Sequence, residues 1–364
     1  MQTSARDRQR VAFGRDIFSK QTAFVLGFST INESIPMHLH DKSATIYVAG
    51  HRGMVGSAVW QELEAAGYHN LVGRTSDELD LRDPSATRAF FEAEQPDFVV
   101  VAAAKVGGIL ANDAYPADFL YDNLTIETSV IHAAHAVGVE RLLFLGSSCI
   151  YPKHAPQPMK EEHLLTGPLE PTNQWYAIAK IAGHKLCEAY HEQHGDDMVT
   201  LMPTNLYGLG DNFDLETSHV LPALLRKFHE AKGAASDGGD APVTLWGTGT
   251  PKREFLYSED LADAVRFVLE TPEDALRDVA PDGMLNVGVG DDLSINALAD
   301  TIRTVVGSDS SIEHDRSKPD GTPRKLLDVS RMTELGWTAD TSLEEGVQQT
   351  YDWYRTHEDE LVAA

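Results

Sequence analysis

Tyr176 and Lys180 stand four residues apart in a segment rich in helix-favouring residues. Side chains at this spacing share one face of a helix, so the two groups are expected to act together. A phenol has an ordinary pKa of about 10 and transfers protons near neutral pH only when a neighbouring charge shifts that pKa. We expect the Lys180 ammonium to supply this charge, although the same spacing also arises by chance in many helices.

Ser147 follows an apolar run, residues 142–145, that predicts a buried strand ending at Leu145 and Gly146. Ligands of open α/β sheets bind at the carboxyl ends of the strands, so a reaction is expected here. The Ser147 hydroxyl could donate a hydrogen bond to a carbonyl oxygen while the Tyr176 phenol transfers a proton. Together with a nicotinamide that exchanges hydride, these groups predict carbonyl reduction.

A glycine-rich segment lies between a predicted strand, residues 45–49, and a predicted helix. Glycines there let the backbone approach a pyrophosphate, and the N-terminus of the following helix favours its negative charge. The segment therefore predicts dinucleotide binding, although the glycines alone could form a tight turn. The residues assigned to the cofactor in it are Gly50, His51, Arg52, Gly53, Met54, Val55 and Gly56.

The second predicted strand ends in Arg74 rather than in a carboxylate that would bind a ribose 2′-hydroxyl. Arg52 and Arg74 could instead pair with a 2′-phosphate, which favours NADP(H) over NAD(H). Asp77 lies close enough in sequence to keep NAD(H) as an alternative. Asp80 and Asp83 could contact an adenine ring, although Asp83 before a proline is the plainer signature of a helix N-cap.

Strands and helices alternate from residue 45 to the residues after Met198. This pattern predicts an α/β fold with a doubly wound parallel (Rossmann) sheet and a smaller α/β C-terminal part that binds substrate. Residues 44–208 are assigned mainly to the cofactor domain. Residues 209–364 are assigned mainly to the substrate-binding part, with some segments returning to the first domain. Residues 1–43 lack a clear period and are expected to form a disordered extension.

The composition is strongly acidic, with 56 Asp and Glu against 30 Lys and Arg and a net charge of −26. This charge opposes binding to nucleic acid or to an anionic membrane. It is typical of a surface adapted to high salt, where screening removes self-repulsion, and an ordinary acidic enzyme is the alternative. Two cysteines and the absence of a long apolar run predict a cytoplasmic protein that neither crosses a membrane nor carries a disulfide framework.

The few basic residues of the C-terminal part concentrate in short motifs around Lys227, Arg253 and Lys325. Such clusters in an acidic chain favour a nucleotide diphosphate as ligand. Simple solvation would explain any one of them. No metal site is predicted.

The sequence is similar to the GDP-L-fucose synthase family of extended short-chain dehydrogenases from about Thr45 to Trp353. The likeness rests on an ordered set of motifs: GHRGMVGSA, AAAKVGGI, LGSSCIYPK, LEPTN followed by YAIAKIAG, MPTNLYG, DNF, SHVLPALLRKFHEA, WGTGTPKREF and SKPDGTPRKLLD. The chain departs from the family pattern at three places. Gln174 and Trp175 replace a Glu-Pro pair usual in bacterial members, and Leu209 and Gly210 precede Asp211. Ser76 replaces an arginine, and this change weakens the argument for NADP(H).

The resemblance implies conversion of a GDP-4-keto-6-deoxymannose to GDP-L-fucose, by epimerisation at C3 and C5 and NADPH-dependent reduction at C4. It implies that Ser147, Tyr176 and Lys180 reduce the ketone, while Cys149 and His219 are the acid and base of epimerisation. A thiol of ordinary pKa about 8.5 suits proton transfer near neutrality. The residues implied to bind substrate are His219, Lys227, Trp246, Arg253, Asp320 and Lys325, and those lining the cofactor side are Pro203, Thr204, Asn205 and Leu206.

The resemblance further implies a homodimer formed by the helices that begin near Pro116 and Gln174.

Three alternatives remain at this point. Cys149 could be a small buried packing residue and His219 a helix N-cap. The chain could be another nucleotide-sugar epimerase or a simple 4-reductase, which would not need the Cys149–His219 pair. A redox-sensing regulator that binds dinucleotide without turnover is the third, although such proteins usually lose the tyrosine–lysine pair.

Overall fold

The computed structural model describes residues 39–215, 217–236, 241–318 and 320–363. Of the predicted extension, residues 1–43, the first 38 residues lie outside the described part of the chain. Residues 39–43 are described, and Leu39 is fully buried. Its amide donates to the Leu269 carbonyl at 3.4 Å and its carbonyl accepts from the Tyr68 hydroxyl at 2.5 Å. These five residues therefore belong to the folded part, because Leu39 fills a position in its core.

The described chain contains thirteen strands. In chain order they are β1 Ile46–Ala49, β2 Leu71–Val72, β3 Phe98–Val101, β4 Arg141–Leu145, β5 Met198–Pro203, β6 Asn205–Tyr207, β7 Val243–Trp246, β8 Lys252–Arg253, β9 Phe255–Tyr257, β10 Met284–Val287, β11 Leu293–Ser294, β12 Ile312–Asp315 and β13 Arg324–Lys325. Six of them form the central sheet in the spatial order β10-β5-β4-β3-β1-β2, and all neighbours in it are parallel.

The described chain also contains eleven α-helices. They are α1 Met54–Ala65, α2 Pro84–Glu94, α3 Ile109–Ala114, α4 Pro116–Val137, α5 Gln174–His194, α6 Val220–Ser236, α7 Ser258–Glu270, α8 Glu273–Val279, α9 Ile295–Val306, α10 Ser330–Leu335 and α11 Leu343–Ala363. The predicted start of α4 near Pro116 is confirmed, because Pro116 supplies the first helical residue, and Gly138 ends the helix with a φ of 72°.

The central sheet is buried on both faces, as its apolar strands require. Every residue of β1, β3, β4 and β5 is buried. Residues from α1 and α7, such as Leu63 and Val265, pack on one face. Residues from α2, α4 and α5, such as Phe91, Ile131 and Cys187, pack on the other face. The predicted doubly wound parallel sheet is thus confirmed.

A smaller α/β part contains α6, α9 and α11, whose apolar side chains share a second core that includes Phe228, Ile302 and Tyr354. Its strands form small sheets, in the orders β11-β8-β13 and β12-β7, and β6 pairs with β9. The parallel pairing of β8 with β13 sets Arg253 opposite Lys325. This register brings two cations from distant parts of the sequence side by side.

Among the described helices, none combines the length and the apolar character that crossing a membrane requires.

Candidate active site

A cavity of about 1030 Å³ lies at the carboxyl ends of the parallel strands. It brings together most of the residues that the sequence assigns to catalysis and cofactor: Gly50, His51, Arg52, Gly53, Met54, Val55, Gly56, Arg74, Gly146, Ser147, Cys149, Tyr176, Pro203, Thr204, Asn205, Leu206, His219 and Lys325. Leu145 and Lys180 lie behind its wall. Lys227, Trp246, Arg253 and Asp320 are not among its lining residues.

The glycine turn after β1 has the geometry that a dinucleotide needs. Gly50 has a φ of +83°, and a Cβ atom on it would lie 2.7 Å from the Ala103 nitrogen. A Cβ atom on Gly56 would lie 2.1 Å from the Gly50 carbonyl oxygen. Helix α1 has no side-chain cap, so its first N–H groups can donate to a phosphate. The buried Nδ1 atom of His51 has no hydrogen-bond partner among the described residues, which also fits a ligand here.

The two arginines predicted to select NADP(H) differ in their surroundings. The Arg74 guanidinium donates to Glu94 Oε1 at 2.6 Å and to the Gly73 carbonyl at 2.9 Å. Arg52 lines the cavity and forms no ion pair with any described carboxylate. Arg52 is therefore the freer of the two cations. Asp83 does cap α2, since its Oδ1 accepts from the backbone at Ser85 and Ala86.

Ser147 and Cys149 are fixed to the same wall by one local hydrogen bond. The Cys149 amide donates to Ser147 Oγ at 3.3 Å, at the start of a single helical turn, Ser148–Ile150. Burial raises the pKa of the Cys149 thiol, while Lys325 and the contact with Ser147 act against that rise. The pKa of the thiol is therefore higher than the ordinary value used in the sequence analysis, because removing the side chain from water disfavours the thiolate. At neutral pH Cys149 is a proton donor.

Tyr176 and Lys180 lie on one face of α5, as the spacing predicts. The Lys180 ammonium lies 5.8 Å from the centre of the Tyr176 ring. It donates to the Leu145 carbonyl at 3.0 Å and forms an ion pair with Glu127 Oε1, also at 3.0 Å. Glu127 and Lys180 are buried, with side chains 1% and 2% exposed, so this is an ion pair inside the protein.

The expectation that Lys180 moves the phenol's pKa towards neutrality is wrong. Burial raises the pKa of Tyr176 well above its ordinary value, and the charges of Cys149 and Glu127 raise it further. The main physical reason is that the phenol is enclosed by protein, which disfavours its charged form; in addition, Glu127 offsets the positive charge of Lys180. Tyr176 therefore keeps its proton at neutral pH and can donate it.

His219 directly precedes α6, and its carbonyl oxygen accepts from the Ala223 amide at 3.1 Å. Its imidazole lines the cavity. Burial, and secondarily the positive charge of Lys325, lower the pKa of His219 below its ordinary 6.5. The ring is therefore neutral at neutral pH and can accept a proton. The backbone belongs to the helix start while the side chain faces the cavity, so the two interpretations of His219 are compatible.

The three cations that the resemblance assigns to substrate, Lys227, Arg253 and Lys325, form no ion pair with any carboxylate that the structure describes. Burial lowers the pKa of all three. Because a partly buried cation without a counter-ion is unfavourable, this arrangement fits an anionic ligand. Trp246, 48% exposed, lies 6.0 Å from the Lys227 ammonium and offers a ring face beside it.

Asp320 is already engaged by the chain. Its Oδ1 accepts from the Thr248 amide at 2.6 Å and from the Thr248 hydroxyl at 3.0 Å. A Cβ atom on Gly247 would lie 2.2 Å from the same oxygen. These contacts hold the turn that follows Trp246, so the carboxylate supports the position of the ring.

Sequence reasoning missed Glu127 and Asp211 as parts of the site. Burial raises the pKa of Asp211 to about 7, and its Oδ2 atom accepts no hydrogen bond from the described residues although the side chain lines the cavity. Glu127 could have been noticed, because it falls on the apolar face of α4 with Ile131 and Ala134. No local pattern marks Asp211 beyond its place in the DNF motif. Within the described residues, no group of three or more His, Cys, Asp or Glu side chains is arranged to hold a metal.

Comparisons with known proteins agree with this geometry. The profile of the NAD dependent epimerase/dehydratase family matches residues 46–288. The GDP-L-fucose synthase of Escherichia coli K12 is 55% identical over 316 residues, which cover 86% of this chain and 97% of that protein.

Two solved structures share the fold over most of their length. The GDP-6-OMe-4-keto-L-xylo-heptose reductase from Campylobacter jejuni has a TM-score of 0.82 and 37% identity, covering 87% of this chain and 99% of that chain. A GDP-L-fucose synthetase from Naegleria fowleri, solved with NADP bound, has a TM-score of 0.76 and 27% identity, covering 87% of this chain and 95% of that chain. This chain belongs to the NAD dependent epimerase/dehydratase family and, within it, to the GDP-L-fucose synthases.

Proposed function

We propose that this protein converts GDP-4-dehydro-6-deoxy-D-mannose to GDP-L-fucose, by epimerisation at C3 and C5 followed by reduction at C4 with NADPH. The observation that carries the proposal is that one cavity is lined by two separate sets of proton-transfer groups, Cys149 with His219 and Ser147 with Tyr176. A simple reductase needs only the second set. The identity to GDP-L-fucose synthases supports the choice of sugar.

Epimerisation uses the acidity that the C4 ketone gives to the protons on C3 and C5. The neutral His219 imidazole accepts a proton from carbon, and the protonated Cys149 thiol returns one to the opposite face. The lowered pKa of His219 and the raised pKa of Cys149 both favour these starting protonation states. Burial thus prepares a base and an acid without a metal or an oxidation step.

Reduction uses the hydride that NADPH supplies to C4 when it is bound. Ser147 Oγ accepts from the Cys149 amide, so the hydroxyl hydrogen remains available to the C4 oxygen. Tyr176 donates the proton that converts this oxygen to a hydroxyl. Lys180 lies behind the ring and stabilises the negative charge that develops on the phenol. The product can no longer lose protons at C3 and C5, since the ketone is gone.

The diphosphate of the substrate is the anion that the unpaired cations favour. Arg253 and Lys325 lie side by side on β8 and β13, and Lys325 also lines the catalytic cavity. Lys227 adds a third positive charge beside Trp246. Charge-assisted hydrogen bonds to phosphate are among the stronger contacts that a protein can make. These residues therefore support binding of a nucleoside diphosphate sugar.

NADP(H) is the cofactor in this proposal. Gly50 and Gly56 leave room for the pyrophosphate, and the N-terminus of α1 favours its charge. Arg52 is the cation best placed to meet a 2′-phosphate, because Arg74 is held by Glu94. The NADP-bound state of the Naegleria fowleri relative supports this choice.

A bare 4-reductase is the second candidate, and the burial of Cys149 favours it. A thiol that is 7% exposed with a raised pKa is also what a packing residue would be. One incubation separates the candidates: GDP-4-keto-6-deoxymannose with NADPH in molar KCl, followed by NMR of the product. GDP-L-fucose supports the proposal. A 6-deoxy sugar that keeps the substrate configuration at C3 and C5 identifies a reductase alone.

The enzyme acts as a homodimer in this proposal. Helices α4 and α5 pack against each other and carry exposed large side chains, with Tyr121 67%, Trp175 38% and Ile178 39% exposed. Such a surface is suited to a second copy of the chain. Light scattering in high salt is expected to give twice the chain mass of 39.9 kDa, and a monomer mass would contradict the assignment.

The protein is assigned to a salt-rich cytoplasm. Cys149 and Cys187 are both free and buried, which suits a reducing compartment. The net charge of −26 would repel itself in dilute buffer, and salt screens that repulsion.

A further inference from the structure

We propose that Glu127 is a positioning residue of the reductase site, which holds the Lys180 ammonium behind Tyr176. This inference rests on the proposed function. Glu127 does not line the cavity and touches neither substrate nor cofactor positions, so any effect on catalysis passes through Lys180.

The position of the Lys180 ammonium is determined by an ion pair and a hydrogen bond to two different elements. Glu127 Oε1 on α4 lies 3.0 Å away, and the Leu145 carbonyl at the end of β4 also lies 3.0 Å away. The ring of Phe144 covers the ammonium at 4.6 Å. A long flexible side chain with these three neighbours has little freedom, so its charge stays directly behind the tyrosine.

A glycine in the middle of α5 makes room for the carboxylate. A Cβ atom on Gly183 would lie 2.6 Å from Phe144 Cζ and 2.9 Å from Glu127 Oε2. Glycine is unfavourable inside a helix, because it loses the most backbone freedom on folding. At this position it is needed for the close approach of Glu127 and Phe144. The missing side chain at Gly183 therefore leaves the space beside α5 that Glu127 and Phe144 occupy.

The charge of Glu127 acts on the chemistry as well as on geometry. Desolvation raises the pKa of Glu127, and Lys180 opposes that rise. Of the titratable groups around the pair, Glu127 raises the pKa of Tyr176 and of Cys187, both on α5. Cys149, after β4, also raises the pKa of Tyr176, and Lys325 opposes the rise at Cys149. A neutral residue at 127 therefore leaves Lys180 uncompensated and favours ionisation of the phenol.

A second buried ion pair, which includes a residue of β4, provides a matched comparison. Arg141, at the other end of β4, donates to Asp197 Oδ2 at 2.6 Å, and the two side chains are 3% and 11% exposed. This pair is remote from the cavity lining. Breaking it is expected to lower stability without changing how the active site titrates, which is the pattern that a merely structural ion pair would give.

The test compares Glu127→Gln with Asp197→Asn and the parent enzyme in single-turnover reduction across pH. For Glu127→Gln we expect the rate of reduction to fall roughly 10- to 100-fold, as for loss of part of general-acid catalysis. The alkaline limb should move to lower pH by roughly one unit, because a compensating negative charge is gone. KM for the nucleotide sugar and deuterium exchange at C3 and C5 should stay near the parent values. Asp197→Asn should keep the parent profile.

A parent-like rate and alkaline limb in Glu127→Gln would overturn the proposal and leave Glu127 a structural residue. If that variant does not fold, Glu127→Asp is the replacement, because it keeps the charge but shortens the side chain. Its rate of reduction should fall while the alkaline limb of the pH profile stays in place. A parent-like rate in Glu127→Asp would also overturn the proposal. NMR titration of isotope-labelled tyrosine, assigned with Tyr176→Phe, follows the phenol without any substrate. A lowered phenol pKa in Glu127→Gln would support the inference even if the incubation above disproved the sugar assignment, and an unchanged pKa would contradict it.

Discussion

Lys180 and Lys325 are both enclosed by protein around the same cavity, but only Lys180 has a carboxylate partner. Lys180 pairs with Glu127 at 3.0 Å, whereas Lys325 lies opposite Arg253 and forms no ion pair within the described part of the chain. A compensated cation attracts an outside anion weakly and serves mainly to stabilise charge that develops beside it. An uncompensated one gains its counter-ion from the ligand. In this acidic chain, the lysine that serves reduction therefore has a carboxylate partner, and the lysine that serves substrate binding has none.

The largest effect is expected in Tyr176→Phe, beside the paired cation Lys180. The variant lacks the proton that must reach the C4 oxygen, so reduction should fall by roughly 10²- to 10⁴-fold. Solvent deuterium should still enter C3 and C5, because Cys149 and His219 are untouched. Rates of NADPH oxidation and deuterium incorporation measured on one sample check this. Loss of both activities together would mean that the two sets of groups are not separate.

Lys325→Met tests the cation that has no carboxylate partner among the described residues. Removing a charged contact to the diphosphate should raise KM for the nucleotide sugar roughly 10- to 100-fold. The positive charge of Lys325 lowers the pKa of His219, so its removal should raise that pKa. The base must be neutral to act, and the acid limb of deuterium exchange should therefore move to higher pH. Lys185→Met, which loses a surface ion pair with Glu188, serves as the control and should change neither quantity.

The same contrast between paired and unpaired cations applies to the cofactor. The parent enzyme should prefer NADPH to NADH, and Arg52→Gln should reduce the ratio of kcat/KM values roughly tenfold. Arg74→Gln should have the smaller effect, since Glu94 already holds that guanidinium. Equal efficiency with both cofactors in the parent would contradict the NADP(H) assignment. A larger effect at Arg74 would show that Glu94 releases it when cofactor binds.

The smallest effect concerns the acidic surface as a whole. With a net charge of −26, self-repulsion should be strong in dilute buffer and screened in molar KCl. The melting temperature should rise by about 2 °C, which for a chain of this size corresponds to about 1–2 kcal/mol. Thermal melts followed by circular dichroism measure it. A midpoint indifferent to salt would give the acidic composition another cause.

Periodic and local features of this molecule could be predicted from sequence, because they depend on near neighbours. The helix Pro116–Val137 is bounded by a proline and a glycine, and the strand Met198–Pro203 is an apolar run. The shared face of Tyr176 and Lys180 follows from helical spacing alone. The glycine turn after the first strand is equally local.

Features that depend on long-range packing could not be predicted. Burial raises the pKa of Tyr176, opposite to the expected direction, and Glu127, which pairs with Lys180 across two helices, adds to the rise. Burial, which no short motif encodes, likewise raises the pKa of Cys149. Asp320 was assigned to substrate by resemblance, yet its oxygens hold the turn at Thr248. In each case the residue was recognised, and its electrostatic surroundings came from other parts of the chain.

The most direct test of two separate chemistries in one cavity is deuterium exchange at C3 and C5 in Cys149→Ser. A serine hydroxyl is far too weakly acidic to replace the thiol, so exchange should fall at least tenfold. Tyr176 remains, and the variant should still reduce the ketone, giving a 6-deoxy sugar that NMR distinguishes from fucose. His219→Gln should lower exchange in the same way. Exchange of both protons at the parent rate in Cys149→Ser would make Cys149 a packing residue and contradict its role as the acid of epimerisation.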